Sequence, residues 1–591
     1  MSVLGESNEP IIAAGCSGGK RAIQSPLAMH PCRCFRFHPV CAAALVLLCG
    51  AARASAPGAV LSTGAAAASG GAAESVWPRL PVRSATLKNG LEVLVVERHT
   101  SPTVALYLHF RVGTADEGAG TLGLSHMLEH LLFKGSRHLN TRDYAKEAPL
   151  IEAIDRVGEA LDDERARGAA ERAGRVKLLE SQMAALLEKE RKLIVKDEVE
   201  EILYRAGDST LNGSTWADAT NYFSTLPATR VETWLATFGE QMGDAVLREF
   251  YPERDVVMEE RRLRVEDDPQ GSLLELAAAT AFLAHPYRNS DWMSELRRLT
   301  RRAAQRHYET YYGANNAVLA VVGDVQFDSV VPLIEKHFGR LPRRAAPPAV
   351  HVEEPPQTGE RRAVLEFPAE PRLMIAYHIP ALSHADEPAL SLLSAVLGGH
   401  GTSTAWESNL MEYPTAPRWS RLYRRLVEGR GVAQEVMLGG HPGDRYPRVL
   451  LLAAAPRAPH TLEELEAAVL EEIDRMVSDP AGADELERAR RNLHALYLRQ
   501  LESYIGTAWM IGFTQGVTGD WRSLERFMDD LQRVTPVDVQ RVARAYLSER
   551  NRTVVRLLEE EEREEKPGEN AGAPGAAASS GAADARQAVA P

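Results

Sequence analysis

The chain has 591 residues, 45% hydrophobic and 25% charged, which excludes a wholly disordered or fibrous protein and is too long for a single core. Its 68 Lys+Arg against 81 Asp+Glu give a net charge of −13, which argues against a broad phosphate-binding surface and so against nucleic acid as a partner. All five cysteines (Cys16, Cys32, Cys34, Cys41 and Cys49) lie in the first fifty residues, so a metal in the body of the protein must sit on His, Asp or Glu.

In chain order, residues 40–52 form an apolar run that follows Arg33 and Arg36 and leads into Ala52-Arg53-Ala54 and Ala54-Ser55-Ala56, small-residue cleavage patterns. The run is too short to span a bilayer but suits the apolar region of a signal peptide. Export with removal of 1–56 is expected, to the periplasm and with no stable membrane span afterwards. The alternative is a disordered N-terminal extension. Residues 57–76, rich in Ala, Gly and Ser, read as a flexible linker.

Residues 77–340 make a first folded half. Residues 104–112 alternate like a strand ahead of a helix. From about 146 to 206, abundant Glu, Lys, Arg, Ala and Leu in heptad-like spacing predict a long helix pair inserted into this half. Thr300 then opens a helical stretch with Tyr311 at +11 and Asn316 at +16, leading into a strand at 317–322. The proline-rich segment 341–359 is an interdomain connection.

The second half, 360–558, echoes the first. A strand at 373–379 precedes a helix at 389–397, and Thr535 opens a helix through Pro536. Tyr546 again stands at +11 and Asn551 at +16, before a strand at 553–557. These offsets predict an α+β fold of two homologous halves, each a sheet covered by helices. From 559 to 591 an acidic run and an Ala/Gly/Pro tail have nothing to bury and read as disordered.

Chemistry concentrates in Gly123-Leu-Ser-His-Met-Leu-Glu-His-Leu-Leu-Phe-Lys-Gly135. Leu124, Met127, Leu128, Leu131 and Leu132 form an apolar stripe at helical spacing, and His126, Glu129 and His130 fall on another face. Two imidazoles four residues apart on one helical face can reach a single cation, and the intervening Glu129 can take a proton from a metal-bound water. His-x-x-Glu-His is the inverted zincin signature. Zinc needs a third protein donor and keeps a fourth position open. Downstream, Glu253 and Glu260 are seven apart on one helical face, with Glu259 pointing elsewhere. Spacing alone leaves Glu260 no different from an exposed acid, while Glu253 could accept from a ligand histidine and orient its ring.

With these motifs the chain resembles the pitrilysin/insulinase (M16) family of zinc metallopeptidases, which includes the mitochondrial processing peptidase, over about residues 80–557. The resemblance implies Zn²⁺ held by His126, His130 and Glu260, with Glu129 as general base and Glu253 in support. It implies a clam-shell of two halves around a chamber, hydrolysing peptides or unfolded protein segments. It also implies that Asn212 and Gly213 begin an edge strand to which an extended substrate adds.

The chain departs from the family in three places. The 130 residues from His130 to Glu260 exceed the usual interval, and the helical insertion accounts for the excess, either as a gate or as a tolerated surface excursion. Val427 and Gln434 stand where the family carries an Arg and a Tyr that hold the substrate carbonyl. Residues 400–418 form an extra loop of unassigned role. Two alternatives therefore stand beside an autonomous enzyme. One is a non-catalytic assembly or peptide-binding subunit of the same fold; the other is the catalytic half of a heterodimer with an Arg/Tyr-bearing M16 homologue.

Overall fold

The structure, a computed structural model, describes residue 77 and residues 79–167, 173–403 and 415–560. The expected signal segment, the 57–76 linker, the tail beyond 560 and residues 404–414 of the extra loop lie outside the described residues. No helix among the described residues is long and apolar enough to cross a membrane.

Two sheets organise the chain. The first contains β1 (Val82–Thr86), β2 (Glu92–Glu97), β3 (Thr103–Phe110), β4 (Asn212–Thr215), β5 (Thr220–Pro227) and β6 (Ala317–Gly323), in the order β1-β2-β6-β3-β5-β4. The second contains β7 (Arg361–Phe367), β8 (Arg372–Ile379), β9 (Ala433–His441), β10 (Arg448–Pro456) and β11 (Arg552–Glu559), in the order β7-β11-β8-β10-β9. Superposing β2 on β7 aligns the rest: β2–β6 and β7–β11 are the parallel pairs, and the remaining neighbours of both sheets are antiparallel. The duplicated α+β fold is therefore present strand for strand, with β1 added at one edge of the first sheet. β6, a central strand of Ala, Val and Leu, is buried along its whole length, as a strand covered on both faces must be.

The repeated Thr, Tyr and Asn do the same work in both halves. Thr300 and Thr535 cap their helices by accepting from Ala303 N and Asp538 N. Asn316 Nδ2 donates to Tyr311 O at 2.9 Å and Arg111 O at 3.3 Å, tying the helix end to the strand. Asn551 Nδ2 donates likewise to Tyr546 O at 2.7 Å and His378 O at 2.9 Å. The segment expected as a helix pair folds as Tyr144–Ala166 and Ala173–Arg191, bridged by Arg165 and Glu180 at 2.8 Å, followed by a third helix, Glu198–Arg205.

The two shells of this clam-like pair are clasped by exchanged helices. Each sheet is covered on one face by its own helices: Leu124, Met127, Leu128 and Leu131 pack with Val93, Leu106, Leu108 and Leu319 in the first half. On the other face each sheet receives a helix from the opposite half. Helix Pro269–Ala281 sets Leu273, Ala277 and Ala281 against Met374, Ala376, Val555 and Leu557 of the second sheet. Helix Tyr504–Thr518 sets Ala508 and Ile511 against Tyr107 and Ala320 of the first. Polar groups close the joint: Asp218 accepts from Asp444 N at 2.6 Å, Arg445 N at 2.9 Å and Tyr287 Oη at 2.8 Å, and Arg445 Nη2 reaches Asp116 Oδ2 at 2.9 Å.

Close approach of the second exchanged helix depends on glycine. A Cβ on Gly512 would stand 2.5 Å from Tyr107 Cδ1, and one on Gly516 would stand 1.9 Å from His109 Nε2. Overpacking of a filled core costs about 1–3 kcal/mol. Gly512→Ala should therefore lower the melting temperature, whereas Gly174→Ala, with nothing within 4 Å, should leave it unchanged or slightly raised; calorimetry on both variants checks this.

Candidate metal centre

Helix Leu124–Leu131 buries its leucine stripe and leaves His126, Glu129 and His130 half-buried on another face. Its start is built by two neighbours. Gly123 has φ +92°, and a Cβ there would lie 2.5 Å from Leu296 Cδ2 and 3.2 Å from Asp291 Cβ. The buried Glu117 carboxylate accepts from Gly123 N at 2.7 Å and Ser125 N at 2.6 Å, taking up N–H groups that a helix start leaves free.

Glu260, on helix Phe250–Arg261, brings Oε2 to 3.6 Å from His126 Nε2 and 3.4 Å from His130 Nε2. One donor atom from each of the three lies within 4.8 Å of the others. The far nitrogen of each ring faces its own carboxylate: His130 Nδ1 lies 3.4 Å from Glu253 Oε2, and His126 Nδ1 lies 3.6 Å from Asp291 Oδ2. Such partners fix the tautomer, leaving each Nε2 lone pair turned to the shared point. Glu253 is itself held by Lys134 Nζ at 2.5 Å, and Arg264 Nη1 sits 2.7 Å from the other oxygen of Glu260.

The electrostatics describe a place suited to a cation. Burial works against an imidazolium at His126, but the facing Asp291 and Glu260 carboxylates outweigh it and push its pKa well above the usual value. Burial would raise Glu260, yet the two rings hold it far below the ordinary carboxylate range. A divalent ion at the shared point would replace those ring protons, and two imidazole nitrogens with one carboxylate oxygen are a three-donor zinc set with one position open. A second group, His138, Glu240 and Asp244, also brings donor atoms within 4.8 Å of one another. There Glu240 is engaged by His138 and Arg340, and Asp244 by Arg137, so arginines already balance its carboxylates.

Glu129 leans against the edge strand. Thr215 Oγ1 donates to Glu129 Oε2 at 2.6 Å, and a Cβ on Gly213 would meet Glu129 Cγ at 2.8 Å. Among the described residues β4 pairs with β5 only, and its other edge ends the sheet. Five of the residues singled out in the sequence (His126, Glu129, His130, Glu253 and Glu260) thus share one site, with Gly213 beside it. Asn212 is exposed, and its side chain turns back to Gly213 N at 2.9 Å. Val427 is buried and Gln434 lies exposed at the start of β9. Asp291, Thr215, Lys134 and Arg264 were not picked out for the site; Lys134, one turn beyond His130, is the one that helical spacing could have flagged.

Residues 92–154 match the family model described as Insulinase (Peptidase family M16), and residues 298–493 match that of the Peptidase M16 inactive domain. Glu260 and Asp291 lie between the two matched stretches. A relative named zinc protease PqqE, from Helicobacter pylori, is 27% identical over 483 residues, covering 80% of this chain and 92% of that protein. The crystal structure of a protease from Helicobacter pylori aligns with a TM-score of 0.66 at 26% identity, over 81% of this chain and 100% of that one. The periplasmic protease PqqL from Escherichia coli shares the fold, with a TM-score of 0.58 at 14% identity, over 82% of this chain but 48% of that one.

The carboxyl that caps the motif helix should leave a mark on pH stability. Burial pushes Glu117 up to about 7, so between its ordinary range and pH 7 the folded state holds a proton that the unfolded chain releases. Stability from this group is greatest below about 4.5 and falls as pH rises through 7. Relative to Glu117→Gln, wild-type unfolding free energy should decline from pH 5 to 7.5 in denaturant titrations; a flat difference would remove this role.

Proposed function

We propose that the chain is a member of peptidase family M16 and an exported zinc-dependent endopeptidase acting on peptides and unfolded protein segments. The observation that carries the reading is the convergence of His126 Nε2, His130 Nε2 and Glu260 Oε2 on one point, beside Glu129, which leans on a strand edge left unpaired among the described residues. The relatives named zinc proteases support it, as does the chemistry of the donor set.

His126, His130 and Glu260 would hold the zinc, which when bound polarises a scissile carbonyl and makes a water acidic enough for a carboxylate to deprotonate. Glu129 takes that proton and later delivers it to the leaving amine as the C–N bond breaks. The bond from Thr215 fixes Glu129 Oε2 and leaves Oε1 as the proton-accepting oxygen. An extended peptide adds to the open edge of β4, where main-chain pairing gives affinity with little demand on sequence. Gly213 lets that strand lie close to the carboxylate. Enclosure of the site in a chamber would favour unfolded chains over folded ones. Export rests on the apolar run at 40–52 and its flanking residues.

A second reading concerns a partner. Val427 is apolar and buried where the family carries its arginine, and Gln434 stands in place of its tyrosine. Both favour a homologous M16 subunit that closes the chamber and supplies the missing Arg/Tyr pair.

Glu129→Gln should keep stoichiometric zinc while losing at least about 10²-fold in cleavage of a quenched peptide. His130→Ala should lose the metal as well. Near-normal turnover by Glu129→Gln, with zinc content measured alongside, would eliminate the assigned base.

A further inference from the structure

We propose that Glu275, Arg261 and Asp291 form a positioning relay through which the second half of the chain holds the metal centre in shape; this rests on the reading of His126 as a metal ligand.

The two ligand histidines are supported differently. The partner of His130, Glu253, lies on the same helix as Glu260 and is held by Lys134, so that support is complete within a few turns of the ligands. The partner of His126, Asp291, lies on a loop and is held by Arg261, the last residue of the Glu260 helix, whose guanidinium reaches on to a carboxylate of another helix. Arg261 Nη1 donates to Asp291 Oδ1 at 2.9 Å, to Glu275 Oε1 at 2.9 Å and to Ser290 Oγ at 3.1 Å. Arg261 Nη2 donates to Glu275 Oε2 at 3.2 Å, completing a two-pronged grip. The guanidinium is buried, its side chain 2% exposed, with the Trp292 ring 5.3 Å away. With Oδ1 held by Arg261, Asp291 presents Oδ2 to His126 Nδ1 in one orientation.

Glu275 belongs to helix Pro269–Ala281, the helix lent to the second sheet. Its apolar residues pack on Met374, Ala376, Val555 and Leu557, and the carbonyl of Ala281 at its end accepts from His378 Nε2 at 3.0 Å and from Arg361. Its start presses on the turn that follows Glu260: a Cβ on Gly271 would stand 2.0 Å from Arg264 O. The helix is thus set by the second half of the chain at its end and, from Glu275 at its middle, grips the guanidinium that orients Asp291. The chain of contacts is physical and contiguous, and each link has a defined donor and acceptor. A buried guanidinium that loses the two-pronged grip of Glu275 would shift toward its remaining partners, taking Asp291 out of line.

The test is the zinc affinity of the full chain, by competition with a chromogenic chelator, with thermal unfolding of the zinc-free protein as a second readout. Asp291→Asn should loosen zinc by about 10–100-fold, the usual consequence of losing the partner of a ligand histidine. Glu275→Gln, which touches no ligand, should loosen it in the same direction, and the double variant should bind no more weakly than Asp291→Asn alone. Glu266→Gln, which also faces Arg261 but lies outside the relay, should match wild type in both readouts. Wild-type affinity in Glu275→Gln, or losses that multiply in the double variant, would overturn the relay even if Asp291→Asn fails to fold. A wild-type chain that binds no zinc would instead overturn the metal reading itself.

Discussion

Two imidazoles and a carboxylate meeting at one point are stable only if something resists their tendency to turn away. A ring can rotate, and a half-buried carboxylate prefers water. The site answers this by giving each of the three groups a second contact: Asp291 for His126, Glu253 for His130 and Arg264 for Glu260. Because those contacts are charged and partly buried, they favour one arrangement of the three donor atoms. The rest of the molecule can be understood as the scaffold that brings these pairs into register.

That scaffold is a duplication used asymmetrically. Both halves have the same strand order and the same Thr, Tyr and Asn ties, yet only the first places histidines on the helix that follows its third strand. The second half has Glu387–Leu397 in the equivalent place, buried throughout and without a histidine. It supplies helix Tyr504–Thr518 to the face of the first sheet and accepts Pro269–Ala281 on its own. Its loop around Arg445 grips Asp116 and, in the turn between β4 and β5, Asp218. The geometry of the candidate site and the packing between the halves are therefore parts of one construction.

What could be read from the sequence follows from range. His126, Glu129 and His130 are legible because helical periodicity alone puts them on one face. The duplication is legible because Thr300, Tyr311 and Asn316 make local bonds that recur at the same offsets in the second half. Glu260 needed the family resemblance, since an acid seven residues after another acid on a helix is usually just exposed. Asp291 left no trace: it meets His126 only after the intervening helices fold, and no periodicity links them. Thr215 was noticed as part of a strand, but its hydroxyl matters only because the fold lays that strand along the motif helix. The exchange of helices was hidden too, because an apolar stripe says that a helix is covered and not which sheet covers it.

The central claim is most directly tested by anomalous diffraction at the zinc edge, on crystals of the full chain grown with zinc. The account predicts a strong peak at about 2.0–2.2 Å from His126 Nε2, His130 Nε2 and a Glu260 oxygen. A map with no peak there, or with its only peak among His138, Glu240 and Asp244, would contradict it.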